Sequence, residues 1–421
     1  MKKEILDTLI ALVKIESKQE PAEPNAPFGK SPRKALDYML SLGKKLGFAV
    51  DDADGYAGAI EFGEGAETVG ILAHLDVIPF GTGWTRGQGE IADGILYGRG
   101  VVDDKGPAVL CLYAMKEIMD SGAPLSRRVR LILGCNEESG NRCMDYYRKV
   151  RKMPDVGFSP DADFPVITYE KEIGWLRLTV PVSSEFKRAV VKIDGGVRPN
   201  VVPNSAALTL RGGEVITFGG RSAHGMEPHK GDNALFKLVK HVLGLGVKDE
   251  NFSAIAEYIA NTDNLNRLGI NVSDPSSGAQ TLNLGKMEFD GGDIIMTLDA
   301  RCPRTQTVAD LQRRILGKLP EGSRFEVIYN EPALCADPDS FLVRTLKEVY
   351  TRNTGEAARG LIIGGGTYAR KMPNCVAFGC MYEGQSCNIH DADEFIPLAQ
   401  LEKVYDIYRD AILELAKQEI V

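Results

Sequence analysis

Apolar positions in the first part of the chain fall into two alternating patterns, helix-spaced stripes and short continuous runs. In MKKEILDTLIALVKIES, Leu6, Leu9, Ile10 and Val13 share one helical face and predict a helix over about residues 3–16. Ser31 and Pro32 read as the cap and first-turn residue of a second helix ending near Leu46. ETVGILAHLD is an apolar strand that runs into a turn, and PAVLCLYAMKEIMDSG is a helix that stops at Gly122. RVRLILGCNEE is a strand that ends on two acids. Strands and helices taking turns in this way predict a mostly parallel sheet covered by helices. In such sheets ligands sit off the carboxyl ends of strands, and both HLD and NEE fall at those ends.

The pattern changes near Trp175. WLRLTVPV, RAVVKIDGG, SAALTLRGG and EVITFGG alternate only partly and are broken by glycines, as in an antiparallel sheet. NALFKLVKHVLGLG reads as a helix, TLNLGKMEFDGGDIIMTLDARCP as a hairpin turning at Gly291 and Gly292, and residues 307–318 as another helix. After Asp337 the first rhythm returns, with helices expected over 340–353 and about 398–417 around the apolar segment CVAFGC. The expected architecture is α/β. A catalytic domain of residues 1–175 and 337–421, built on a mostly parallel helix-covered sheet, receives an inserted α+β lid domain of 176–336 with an antiparallel sheet.

A chain of 421 residues is too long for one ordinary core, which agrees with two domains. Its net charge of −8 leaves no basic excess to displace counterions from nucleic acid. No stretch approaches the roughly 20 apolar residues of a membrane span. Asp7 and Lys14 interrupt the N-terminal apolar run, which argues against a secretion signal. None of the eight cysteines is spaced as C-x-x-C, so structural thiols in a reducing cytoplasm are expected.

The candidate chemistry lies in five segments: ILAHLDVIPF, GRGVVDDKGP, GCNEESG, SPDADFPV and CNIHDADEF. His74 and Asp76 are two apart, and in extended chain both side chains enter one site. Asp76 can then bind a metal or orient a neighbouring ligand. Asp103 and Asp104 precede a helix, so one can bridge two cations while the other caps the helix. Glu137 and Glu138 are adjacent and should point to opposite sides, one to metal and one to a water as general base. Asp161 and His390 are unremarkable singly. They complete a count of one histidine and one acid per metal plus a shared acid. Of the other histidines, His224 sits in a glycine-flanked turn, GRSAHGMEPHKGDNA, that can present an imidazole to another domain. His229 reads as solvated, and His241 as the surface of a helix.

These segments, in this order, resemble the di-zinc metallopeptidases that include dipeptidase V, the carnosinases, carboxypeptidase G and the aminoacylases. DGGVRPNVVP, SGAQTLNLG and GGGTYAR look most like the dipeptidase V branch. The resemblance implies two Zn(2+) ions per subunit, with Co or Mn as possible substitutes. It implies His74 and Asp161 on one ion, Glu138 and His390 on the other, and Asp103 bridging them, with a cis peptide joining Asp103 to Asp104. Asp76 orients His74, Glu137 is the general base, and His224 of the lid stabilises the oxyanion. Asn200, Arg301 and Thr367 hold the substrate, Arg301 through its bidentate fork. Asn136 departs from the pattern, since many relatives have Asp there. The implied activity is hydrolysis of dipeptides; a deacylase acting on N-acyl amino acids is the rival on the same fold. A non-catalytic metal-binding protein is the rival from another class, and it should lack ligands that this chain retains. The expected partner is a small peptide. The extra segment around 245–285 looks like the single-chain arrangement of dipeptidase V, so a monomer is favoured over a homodimer.

Overall fold

A computed structural model describes residues 2–417. They form two compact units. The first takes residues up to Thr168, Cys335–Leu361 and the chain from Thr367 onward. The second takes Tyr169–Leu334 and the short return Ile362–Gly366, so residues 169–175 and 362–366 belong with the second unit. Among the described residues, no helix is long and apolar enough to cross a membrane.

In the first unit, a run of six neighbouring strands follows the order Ala49–Ala53, Ala57–Phe62, Arg128–Gly134, Thr68–His74, Val156–Ser159, Cys375–Ala377. The last four pair in parallel and the two outer ones are antiparallel. All seven residues of Thr68–His74 are buried, as a central parallel strand covered on both faces requires. Helix Lys105–Ser121 packs on this sheet with twelve buried residues, and helix Leu398–Lys417 packs against it.

The N-terminal helix, Lys3–Val13, buries Ile5, Leu9, Leu12 and Val13, whereas Leu6 and Ile10 are only half-buried, so the stripe is rotated by about one residue from expectation. The second helix starts at Lys30 rather than after Ser31. Ser31 is not its cap, because its backbone N–H and its hydroxyl both donate to the Glu20 carboxylate, at 3.1 and 3.0 Å.

The second unit is a seven-stranded antiparallel sheet in the order Val215–Gly219, Ser205–Leu210, Val190–Gly195, Thr281–Phe289, Ile294–Cys302, Glu172–Val180, Arg324–Glu331. Its core joins Leu176, Leu178, Leu284 and Met296 of the sheet to Leu235 and Leu238 of helix Ala234–Gly244 and to Leu311 and Ile315 of helix Val308–Leu316. That last helix carries the capping box of Thr307 and Asp310. His241 is not plain surface: its ring stands 5.4 Å from that of Phe218 and is half-buried.

Candidate metal centre

The strand order of the first unit assembles the site. Arg128–Gly134, Thr68–His74 and Val156–Ser159 are parallel neighbours, so their carboxyl ends share one edge. His74 ends the middle strand, Glu137 and Glu138 follow the first, and Asp161 follows the third. Asp103 comes from the loop leading into helix Lys105–Ser121, and His390 from the loop before strand Phe395–Pro397. Donor atoms of His74, Glu137 and Asp161 lie within 4.8 Å of one another, and so do those of Asp103, Glu138 and His390.

The Asp103 carboxylate lies between the two imidazoles. Its Oδ1 is 2.8 Å from His74 Nε2, and its Oδ2 is 3.0 Å from His390 Nε2. His390 Nε2 is also 3.1 Å from Glu138 Oε1, and His74 Nε2 is 3.7 Å from Asp161 Oδ2. The Asp103–Asp104 peptide is cis. Among the described residues no lysine or arginine pairs with Asp103, Glu137, Glu138 or Asp161. Four carboxylates at one largely buried edge, with two imidazoles as their only nearby cationic partners, form a donor set suited to divalent cations.

Asp76 works differently from the orienting carboxylate expected of it. His74 Nδ1 is 2.9 Å from the main-chain carbonyl of Asp76, whereas the Asp76 carboxylate is 3.7 Å away. That carboxylate instead accepts the backbone N–H groups of Glu137 at 2.9 Å and Glu138 at 3.2 Å. Asp104 occupies the helix N-cap position without capping it, and its Oδ2 accepts the His74 N–H at 3.0 Å. The departing residue, Asn136, accepts the N–H of Arg142 at 3.2 Å at the start of helix Arg142–Val150.

The electrostatics follow from this crowding. Burial lowers the His74 pKa, but Asp103, Asp161 and Asp76 outweigh it and hold the imidazole well above the ordinary value. At His390, whose side chain is 42% exposed, desolvation by its neighbours is likewise outweighed by Glu138 and Asp103, which hold the imidazole above its ordinary value. At Asp103, burial is overcome by the two imidazoles, which hold the carboxyl well below its ordinary range. Burial pushes Glu137 well above the usual glutamate value, with Glu138, Asp103 and Asp76 adding to it against His74. Burial, then Asp103, does the same to Asp161, and burial takes Asp76 up to about 6.

A second cluster lies within the second unit. His224 Nδ1 accepts the backbone N–H of Met226 at 3.1 Å, so the neutral ring carries its proton on Nε2. Asn200 stands beside it, since Gly225 N donates to Asn200 O at 2.7 Å. Gly225 is required there: a Cβ would come within 2.6 Å of Asp299 and 3.0 Å of Asn200. Asp299 is fully buried and accepts from Arg301 Nε at 3.0 and 3.1 Å and from Trp175 Nε1 at 3.1 Å. Arg301 Nη1 donates to Gly364 O at 2.8 Å. Nε and Nη1 are thus both engaged, which leaves Nη2 rather than a whole bidentate edge of the fork for a ligand. Thr367 belongs to the first unit, where its buried hydroxyl accepts the N–H of Ala369 at 3.1 Å and caps the 3-10 turn Tyr368–Lys371.

Asp299, Trp175, Arg99 and Glu394 escaped the reading of the sequence. Arg99 and Glu394 lie inside GRGVVDDKGP and CNIHDADEF, but a buried charge pair 295 residues apart leaves no local signature.

The chain matches the profile of Peptidase family M20/M25/M40 over residues 70–414. It is 34% identical to the putative dipeptidase YtjP of Bacillus subtilis, across 94% of this chain and 93% of that protein. Human carnosine dipeptidase 1 superposes with a TM-score of 0.63 at 14% identity, over 98% of this chain and 96% of the other. A tripeptidase of Staphylococcus aureus superposes with a TM-score of 0.63 at 16% identity, over 99% of each. At such identities these superpositions speak for the fold. The chain belongs to peptidase family M20/M25/M40 and is a metallopeptidase, a hydrolase of peptide bonds.

Proposed function

We propose that this chain is a dipeptidase working with two divalent cations, zinc being the metal that best suits its mixture of imidazole and carboxylate donors. The observation that carries this reading is the Asp103 carboxylate set between His74 and His390, at 2.8 and 3.0 Å, among acids with no lysine or arginine partner. His74 and Asp161 would hold one cation, Glu138 and His390 the other, and Asp103 both. The dipeptide substrate is supported by the likeness to YtjP. Eight free cysteines, seven of them buried, support a cytoplasmic enzyme, and the extra segment around 245–285 supports a monomer.

Two such cations, when bound, polarise the scissile carbonyl and make an attacking water acidic. Glu137 takes the water's proton on a carboxylate oxygen and passes it to the leaving amine nitrogen. His224 donates Nε2–H to the carbonyl oxygen as negative charge gathers there. Arg301 Nη2, beyond the bonds of Nε and Nη1, would pair with the terminal carboxylate through a charge-assisted hydrogen bond, with Asn200 and Thr367 as further candidate substrate contacts.

The substrate class is tested with a release assay over free dipeptides, β-alanyl dipeptides, tripeptides and N-acetylated amino acids. Rapid cleavage of free dipeptides with no turnover of acetylated compounds is expected. Turnover of the acetylated compounds alone would make the chain a deacylase. His224→Ala is expected to lower kcat by about 10²–10³-fold with metal content unchanged, as read by steady-state kinetics and elemental analysis.

The stability of the metal-free chain should depend on pH with a definite sign. Both imidazoles are raised above about 6.5, so the fold holds protons that the unfolded chain sheds. Their contribution is complete below about pH 6.5 and is lost as pH rises through the raised values. Glu137 and Asp161 act in the same sense, because their folded values are raised too. A cation replaces these protons. The gain in Tm on adding zinc is therefore expected to be larger near pH 8.5 than near pH 6. Calorimetry that finds the gain shrinking with pH would contradict the assignment.

A further inference from the structure

The loop that carries His390 is not held by ordinary secondary structure. Asn388, His390 and Asp393 all adopt left-handed backbone, with φ of 53°, 64° and 56°. Asn, His and Asp tolerate this conformation better than other non-glycine residues, and contacts from the surroundings then fix it. Here they do so at two points. The Asp393 carboxylate accepts the N–H groups of Thr85 and Arg86 and the Thr85 hydroxyl, at 2.8, 2.9 and 2.6 Å. The second point is Glu394, which is 1% exposed and pairs with Arg99, 2% exposed, at 2.8 Å.

This ion pair reaches both halves of one metal cluster. Glu394 Oε1 accepts the N–H groups of Gly100 at 3.0 Å, Val102 at 3.1 Å and Asp103 at 3.4 Å, the residues that lead to the bridging carboxylate. Gly100 has φ +90, so the loop can curl around the acceptor there without a side-chain clash. Arg99 Nη2 donates to the carbonyl of Asp391, the residue after His390, at 3.0 Å. The guanidinium also lies over the ring of Trp84 at 5.3 Å. Asp103 and His390, whose atoms stand 3.0 Å apart, are therefore both tied to a single buried pair. The other cluster is held elsewhere. Asp104 fixes His74, and Asp76 fixes the backbone of Glu137 along with that of Glu138.

We propose that Arg99 and Glu394 are positioning residues that set the spacing of Asp103 and His390, and so determine cation affinity at the Asp103–Glu138–His390 cluster, to which both tied ligands belong, more than at His74–Glu137–Asp161, which only Asp103 reaches. The proposal rests on the two-cation reading of the site. Both residues are buried, and their side chains make their hydrogen bonds to each other and to backbone. The pair acts by holding the two ligands at the distance one cation needs, and loss of such outer partners typically weakens metal binding about 10–100-fold.

The test is stepwise titration of the metal-free full chain with Co(II), following stoichiometry by equilibrium dialysis and ligand geometry by the visible absorption of the bound ion. Glu394→Gln is expected to weaken one of the two equivalents by about tenfold or more and to change its spectrum, with the other equivalent within about threefold of wild type. Arg99→Lys, which keeps the charge, should recover part of the loss. Breaking one side of a buried ion pair can unfold a chain, so the double variant Arg99→Met, Glu394→Gln is measured beside it. The double variant leaves no lone buried charge and should show the same selective weakening. Wild type binding two equivalents while the folded variants bind both as wild type does, or lose both equally, would overturn the clamp alone. Wild type binding fewer than two equivalents would overturn the two-cation reading and the clamp with it.

Discussion

Glu137→Gln is expected to lower kcat for a dipeptide by about 10²–10⁴-fold, some 3–5 kcal/mol of transition-state stabilisation, while both cations stay bound. The amide keeps the shape of the side chain and removes its capacity to take a proton. Glu137 is held in place through its own backbone N–H on Asp76, so the substitution leaves that support intact. KM should change little, because the proton transfer is made in the transition state and not on binding. Steady-state kinetics together with metal analysis of the same sample check this. A variant with normal kcat would remove Glu137 from the role of base, and a variant that loses a cation would make it a ligand, the alternative left by its place beside His74 and Asp161.

Asp103→Ala is expected to act at an earlier stage, weakening both cation equivalents by about 100-fold or more and leaving no measurable hydrolysis at micromolar metal. Both oxygens of Asp103 are engaged, one toward each imidazole, so its removal deprives both clusters at once. It also brings His74 and His390 closer to their ordinary pKa values, since Asp103 is a cause of both shifts. The metal-free variant should then lose part of the pH dependence of its stability. Equilibrium dialysis separates the two substitutions: Glu137→Gln keeps two equivalents and Asp103→Ala keeps neither at wild-type affinity. An Asp103→Ala chain that binds two equivalents normally would end the bridging assignment.

Much of this was legible in the sequence, for identifiable reasons. His74, Glu137, Glu138 and Asp161 follow continuous apolar runs, and such runs become buried strands whose ends must open onto something. What one sequence does not carry is the lateral order that makes those strands neighbours. Strand alternation puts Asp76 on the same side as His74, but the strand ends at His74 itself. Beyond that point the pleat no longer governs direction, and the Asp76 carboxylate turns to the N–H groups of Glu137 and Glu138. Ser31 looked like a cap because its neighbours suit one, and a contact with Glu20 took its hydrogen bonds. The family resemblance points to Arg301 for a substrate carboxylate, but says nothing of the buried Asp299, two residues away, that the structure pairs with it. Arg99 and Glu394 stand at the far end of this scale, because their pairing depends on the fold bringing two distant loops together.

The most direct measurement is the hydrolysis of one free dipeptide by the same preparation in three states, with metal content determined in each: as isolated, after chelation and dialysis, and after titration with zinc. Activity that disappears with the metal and returns in step with the uptake of two equivalents per chain is the predicted result. Undiminished hydrolysis by a chain freed of metal would contradict the account.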